Sequence, residues 1–153
     1  MNRILCSLFA AFVLALALPS SGHARQGGNL GLGIVAGKPS GVSARLWVGN
    51  RNTIDFIAGF DIYNDRVSLN ADYAWHEFDL FPVRRGQLPL YYGMGVWTSV
   101  SNDPSVGARG KVGIAYLFPN APLDAFFELG PSASILPSTG FGLDAGLGMR
   151  FFF

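Results

Sequence analysis

Apolar and polar side chains alternate with a period of two residues along most of the chain after residue 30. Gly, Asn, Asp and Pro interrupt the alternation at intervals, as in Gly37-Lys38-Pro39-Ser40-Gly41. Such alternation places apolar side chains on one face of a β-strand, and the interruptions are typical of hairpin turns. The pattern predicts eight strands, whose apolar phases begin at Leu30, Val42, Ile54, Val67, Leu88, Val112, Leu123 and Phe141.

The second phase of the same strands is small and polar, with many glycines and nearly all of the strand charges. A soluble barrel would direct its apolar phase inward and a charge-rich, glycine-poor phase outward. Here the bulky phase carries no charge, as expected if it faces lipid, where a charge costs about 2–4 kcal/mol near the midplane. We predict a lumen network of ion pairs, because charges in a dry interior must pair. Its ten members are Arg45, Asp55, Asp61, Asp72, Arg109, Lys111, Asp124, Glu128, Asp144 and Arg150.

The repeat length agrees with strands that cross a membrane. Residues 25–153 divide into eight units of about 16 residues. A tilted transmembrane strand needs about 9–11 residues, so each unit can hold one strand and a turn. The sequence therefore predicts an all-β fold, an eight-stranded antiparallel up-and-down transmembrane β-barrel. Eight strands make a narrow barrel whose interior side chains nearly fill it, so we expect no wide channel.

An even number of strands places both termini on the periplasmic side of an outer membrane. Aromatic residues cluster where alternate strands end at that side, and we predict that they form an interfacial girdle. The alternating apolar residues before Phe153 also look like the C-terminal signal that the barrel-assembly machinery recognises. The predicted girdle contains Tyr73, Trp75, Tyr116, Phe118 and Phe151.

The first 24 residues have the organisation of a secretory signal peptide. Arg3 precedes an apolar run, and Gly22-His23-Ala24 supplies small residues at the positions that precede a cleavage site. The run is short of the roughly 20 residues of a transmembrane helix, which argues against a permanent anchor. We therefore divide the chain into a signal peptide, 1–24, and an outer-membrane barrel, 25–153.

The composition is typical of a membrane protein, and with the signal peptide we expect the outer membrane of a Gram-negative type of bacterium. Hydrophobic residues make up 50% of the chain and charged residues 14%, with a formal net charge of +1. This near-balance argues against a nucleic-acid partner. The single cysteine, Cys6, lies in the signal peptide, so a mature chain contains no thiol. We expect outer-membrane lipids and the barrel-assembly machinery as partners, and a monomer.

Candidate chemistry is sparse, and no cofactor or metal site is indicated. His76 is the one histidine after the signal peptide and the weak candidate for a catalytic residue, with Asp72, Asp79 or Ser68 near it in sequence. We interpret it instead as an interior or interfacial hydrogen-bonding residue. The Arg84-Arg85 pair in the longest turn is interpreted as solvated, the alternative being contact with lipid phosphates or peptidoglycan.

Several segments resemble a family of small, largely uncharacterised outer-membrane proteins with an OmpA-like eight-stranded barrel. They are Gly37–Gly41, Ala71–His76 with Phe78–Phe81, Leu88–Gly93, and the run from Ala121 through Leu136–Gly140 to the C-terminal Phe153. The resemblance covers nearly the whole chain after the signal peptide and implies the fold and an outer-membrane location. It implies no activity and no catalytic residues.

Three functions follow as hypotheses. The first is an integral outer-membrane barrel with a structural or surface-interaction role and no catalysis. The second is a lipid A-modifying enzyme, a deacylase or acyltransferase, that uses His76. The third is a small, porin-like pore, against which the crowded lumen argues.

Overall fold

The computed structural model describes residues 27–61, 66–100 and 103–153, and the predicted signal peptide lies outside them. Eight strands account for most of the described chain. No helix in these ranges is long and apolar enough to cross a membrane. The strands are β1 Leu30–Lys38, β2 Ser40–Trp47, β3 Asn52–Asp61, β4 Arg66–Glu77, β5 Leu90–Val100, β6 Ser105–Leu117, β7 Leu123–Leu136 and β8 Gly140–Phe152.

Each strand pairs antiparallel with the next, and β1 pairs antiparallel with β8, so the sheet closes on itself. The closing seam is continuous from Gly31 opposite Phe152 to Lys38 opposite Ala145. The predicted all-β, eight-stranded antiparallel barrel is confirmed. Closure leaves the sheet without a long free edge, which is what a strand-built wall in lipid requires.

The register of the strands fixes the dimensions of the barrel. A path at right angles to the strands that starts at Lys38 returns to β1 at the level of Gly28, ten residues earlier, a shear number of 10. Eight strands with this stagger tilt by about 40° from the barrel axis. The path passes through Ala145, Leu129, Val112, Tyr92, Trp75 and Asn52. The pairing of Thr53 with Trp47 places Asn52 level with Val48 on the neighbouring side of the barrel. The pairing of Leu46 with Leu30 then places Val48 level with Gly28.

The two phases of the strands lie on opposite surfaces of the wall. Outward side chains such as Met94 and Phe141 are 65% and 89% exposed, whereas the inward Arg45 and Asp124 are fully buried. The outward apolar face on β8 runs from Phe141 to Phe153, which spans about 30 Å of height at 3.3 Å per residue and the tilt above. This height is close to the ~25 Å apolar band of an outer-membrane barrel.

Small residues allow the wall to curve around large inward side chains. A Cβ on Gly113 would lie 2.6 Å from the Tyr91 ring, and one on Gly95 would lie 2.2 Å from Asp72 Oδ1. Glycine at these two positions therefore gives the tyrosine and the carboxylate room inside the narrow barrel.

The connections differ at the two ends of the barrel. At the end away from the termini, Pro39 alone separates β1 from β2, and residues 137–139 separate β7 from β8. At the end that carries Gly27 and Phe153, residues 78–89 connect β4 to β5. Among the connections within the described ranges, this is the longest, and it lies at the same end as Gly27 and Phe153.

Candidate functional site in the barrel lumen

A fully buried arginine–aspartate pair forms the first part of the lumen network. Arg45 on β2 and Asp55 on β3 are opposite each other in the register. The Arg45 Nε and Nη2 atoms donate to the Asp55 Oδ1 and Oδ2 atoms, both at 2.7 Å. This two-point geometry is the strongest form of an arginine–carboxylate contact and fixes both side chains in position.

Lys111 resolves a conflict that the strand register creates. Asp55 on β3 is directly opposite Asp72 on β4, and like charges in that relation destabilise a sheet. The Lys111 Nζ atom lies 2.6 Å from Asp55 Oδ2 and 3.2 Å from Asp72 Oδ2. The ammonium group comes from β6, across the lumen, and holds the two carboxylates together.

Two further cations extend the network on either side of this centre. Arg109 lies 3.4 Å from Asp72 and 3.3 Å from Glu128, and the Tyr91 hydroxyl donates to Glu128 at 2.8 Å. Asp124 accepts from Arg150 at 3.1 Å and lies 3.6 Å from Arg45. The ion pairs form one connected chain in the order Arg150, Asp124, Arg45, Asp55, Lys111, Asp72, Arg109 and Glu128.

Eight of the ten predicted network residues therefore meet, four cations with four anions, and their formal charges cancel. The ten predicted residues comprise six acidic and four basic side chains, a formal charge of −2, whereas this cluster of eight is neutral. Asp144 is only partly buried and lies nearer the end of the barrel away from Gly27 and Phe153, where it lines a small pocket with Lys38, Arg109 and Glu128. No ion pair of the described residues includes Asp144, and the Asp61 side chain lies outside the described part of the structure.

Large aromatic side chains share the lumen with the charges, which the expectation of a small, compact inward phase did not include. The Arg45 guanidinium carbon lies 4.7 Å from the centroid of the Tyr91 ring, and that of Arg150 lies 3.8 Å from the Phe126 ring. Trp47 is also buried. The sequence carried a signal for this placement. Trp47 and Phe126 share the phase of the charged residues of their strands, and Tyr91 shares the phase of Gly93 and Gly95.

His76 is fully buried at the end of the lumen near the termini. Its ring stacks on Tyr91 with centroids 5.0 Å apart and packs against Trp47 at 4.6 Å. The Nδ1 atom lies 3.2 Å from the backbone oxygen of Arg51. Within the described ranges, no serine or carboxylate is hydrogen-bonded to the imidazole. His76 therefore lacks the partners that a nucleophile–base arrangement requires.

The described residues contain no group of three or more His, Cys, Asp and Glu side chains that could hold a metal ion. The acidic lumen residues are instead arranged around arginine and lysine. The chemistry that this arrangement offers is ion pairing and hydrogen bonding across a narrow interior.

The residues of the predicted girdle lie on the outer surface at the end that carries the termini. Tyr73 and Trp75 contact each other edge-on at 4.9 Å, as do Tyr116 and Phe118. Phe151 contacts Phe153 at 5.1 Å. Phe153 is 65% exposed, and its N–H donates to the backbone oxygen of Leu30 at 2.9 Å. Both the girdle and the assembly signal remain predictions.

The fold is a closed eight-stranded antiparallel β-barrel. Among solved structures, it is similar to the N-terminal β-barrel domain of Pseudomonas aeruginosa OprF, with a TM-score of 0.58. Sequence identity is 17%, and the match covers 82% of this chain and 98% of that domain. The resemblance to an OmpA-like barrel is confirmed at the level of the fold. No protein-family profile and no curated protein matches the chain.

Proposed function

We propose that this chain is an integral outer-membrane β-barrel with a structural or surface-interaction role, without a wide pore and without catalysis. The observation that carries the proposal is the distribution of charge across the wall. Eight charged side chains of the network lie inside, whereas the outward face is apolar over about 30 Å. In water, this arrangement would expose a continuous apolar surface far larger than monomeric soluble proteins carry.

The similarity to the OprF barrel supports the proposed location in the outer membrane of a Gram-negative type of bacterium. The predicted signal peptide at 1–24 and the predicted assembly signal at Phe153 agree with export and insertion into the outer membrane. Its partners are then the outer-membrane lipids and the barrel-assembly machinery, and the barrel is a monomer.

The absence of a wide pore is inferred from the side chains that occupy the lumen. The network side chains of Arg45, Lys111 and Arg150 cross the interior from three different strands, and Tyr91 and Phe126 occupy the space beside them. The small pocket near Lys38 has room for about one water molecule. Hydrated ions need a wider and continuous path.

The membrane-embedded state of the barrel is tested by refolding residues 25–153 into detergent. We expect a barrel that needs detergent to remain a monomer and whose unheated form migrates differently from the heated form in gels. A monomer that stays dissolved without detergent would refute the proposal.

Two measurements test the closed, non-catalytic role. We expect no conductance steps when the purified barrel is inserted in planar bilayers, and regular steps would instead establish a pore. We expect the same lipid A mass spectrum from cells with the protein, without it and with His76→Ala. A lipid A species that requires both the protein and His76 would establish the enzyme.

A further inference from the structure

Residues 78–89, here called the basal loop, expose several apolar side chains directly beside two cationic ones. Leu80, Phe81 and Val83 are 55%, 44% and 39% exposed. Arg84 and Arg85 follow directly and are also exposed. A solvated turn needs none of these apolar residues at its surface.

Contacts at both ends hold the basal loop against the barrel. Phe78 packs near Trp47 with ring centroids 6.2 Å apart. At the other end, Gln87 exchanges two backbone hydrogen bonds with Leu117, at 3.1 and 2.8 Å. The loop is therefore a positioned surface of the barrel, and its exposed side chains keep a defined place relative to the wall.

The position of the basal loop is at the edge of the outward aromatic face. The Tyr116 hydroxyl donates to the backbone oxygen of Arg85 at 3.2 Å, and Tyr116 packs edge-on against Phe118. The exposed apolar residues of the loop lie in the chain between the end of β4 at Glu77 and this contact at Arg85. Where aromatic side chains mark the boundary of the apolar band, the next layer is that of the lipid head groups.

The charges around the basal loop leave its two arginines uncompensated. The loop carries one carboxylate, Asp79, and Glu77 precedes it. Arg51 binds both, at 3.0 and 2.8 Å. In the described ranges, neither Arg84 nor Arg85 has an ion-pair partner. Guanidinium groups bind phosphate oxygens at two points, and they are attracted to anionic membrane surfaces.

We propose that the basal loop is a binding surface for anionic phospholipid head groups on the terminus side of the membrane. Leu80, Phe81 and Val83 contact the upper acyl chains, while Arg84 and Arg85 bind the phosphates. This inference rests on the proposed membrane-spanning role and adds to it a preference between lipids. It replaces the interpretation of Arg84-Arg85 as a solvated turn.

The test compares phosphatidylglycerol with phosphatidylcholine on the detergent-solubilised full barrel, with bound lipid measured by native mass spectrometry. Each basic residue near an anionic surface contributes about a 5-fold change in affinity. The double variant Arg84→Gln/Arg85→Gln should therefore bind phosphatidylglycerol about 25-fold more weakly and phosphatidylcholine equally well. The control Arg66→Gln removes an exposed cation at the opposite end and should change neither affinity.

Gel mobility of heated and unheated samples shows whether each variant is folded. Equal affinities of the wild-type barrel for the two lipids would overturn the inference, as would equal losses in the Arg66 and double variants. Co-sedimentation with peptidoglycan that requires Arg84 and Arg85, with unchanged phosphatidylglycerol binding, would overturn it in favour of the cell wall. A chain that needs no detergent refutes the proposed function itself, whereas a detergent-dependent barrel without lipid preference refutes only this inference.

Discussion

Replacement of Lys111 by methionine should be among the most destabilising single changes in the barrel wall. The Lys111 ammonium group lies within 4 Å of three buried carboxylates, those of Asp55, Asp72 and Glu128. Methionine has a similar length and keeps the packing of the side chain, so the change removes mainly the charge. The network is then left with one uncompensated negative charge.

Removal of one partner from a buried ion pair costs about 3–5 kcal/mol, because the remaining charge stays buried without compensation. We expect Lys111→Met to lower the free energy of unfolding by this amount. Asp72→Asn should cost less, since it also removes the repulsion between Asp72 and the opposite Asp55. In the double variant the remaining three cations and three anions balance. Its loss should be smaller than the sum of the single losses by about 1–3 kcal/mol.

The assay is urea unfolding of the barrel refolded into detergent, followed by tryptophan fluorescence and by gel mobility. Arg51→Gln is the matched control, because Arg51 pairs with Glu77 and Asp79 at the surface, where exposed pairs contribute at most about 1 kcal/mol. If Lys111→Met cost no more than Arg51→Gln, or if the losses of the double variant were additive, the reasoning from a dry, coupled lumen would be refuted.

Three further tests probe separate parts of the structure by urea unfolding, in detergent except where a lipid bilayer is stated. Tyr91→Phe removes the 2.8 Å hydrogen bond to Glu128, and we expect a loss of about 1–3 kcal/mol; an unchanged stability would show that Glu128 is solvated. Met94→Arg places a charge on the outward face and should cost about 2–4 kcal/mol in a lipid bilayer; a neutral effect there would argue that this face meets water. Gly113→Ala would press a Cβ against the Tyr91 ring and should lower the free energy of unfolding by about 1–3 kcal/mol. Its control is Gly49→Ala, whose Cβ would meet nothing nearer than 3.9 Å and which should be close to neutral. Equal effects of the two substitutions would show that the lumen is loosely packed.

Local pattern was sufficient to predict the strands and the side of the wall that each residue occupies. Arg45, Asp124 and Arg150 were assigned to the interior by parity, and they are buried there. The same parity also placed Trp47, Tyr91 and Phe126 inside, yet the expectation of a compact polar interior left them out. In this fold, the position of a residue in the alternation predicts the side of the wall it occupies better than its size or polarity does.

The identity of the ion pairs could not be predicted from the sequence. Lys111 and Asp55 are 56 residues apart, and they meet because closure of the barrel brings β6 and β3 within side-chain reach across the lumen. The same stagger directs Asp144 toward the pocket near Lys38 and away from the central network. Such pairings depend on all eight registers together, and no single hairpin contains that information.

The sequence by itself determined the number of strands, their antiparallel order and the separation of apolar and polar faces, because a pleated strand alternates its side chains wherever it lies. Only the tertiary structure decided the stagger, the partners of each buried charge and the way residues 78–89 are held against the wall. Those features depend on closure of the barrel, which places in contact side chains that no local rule connects.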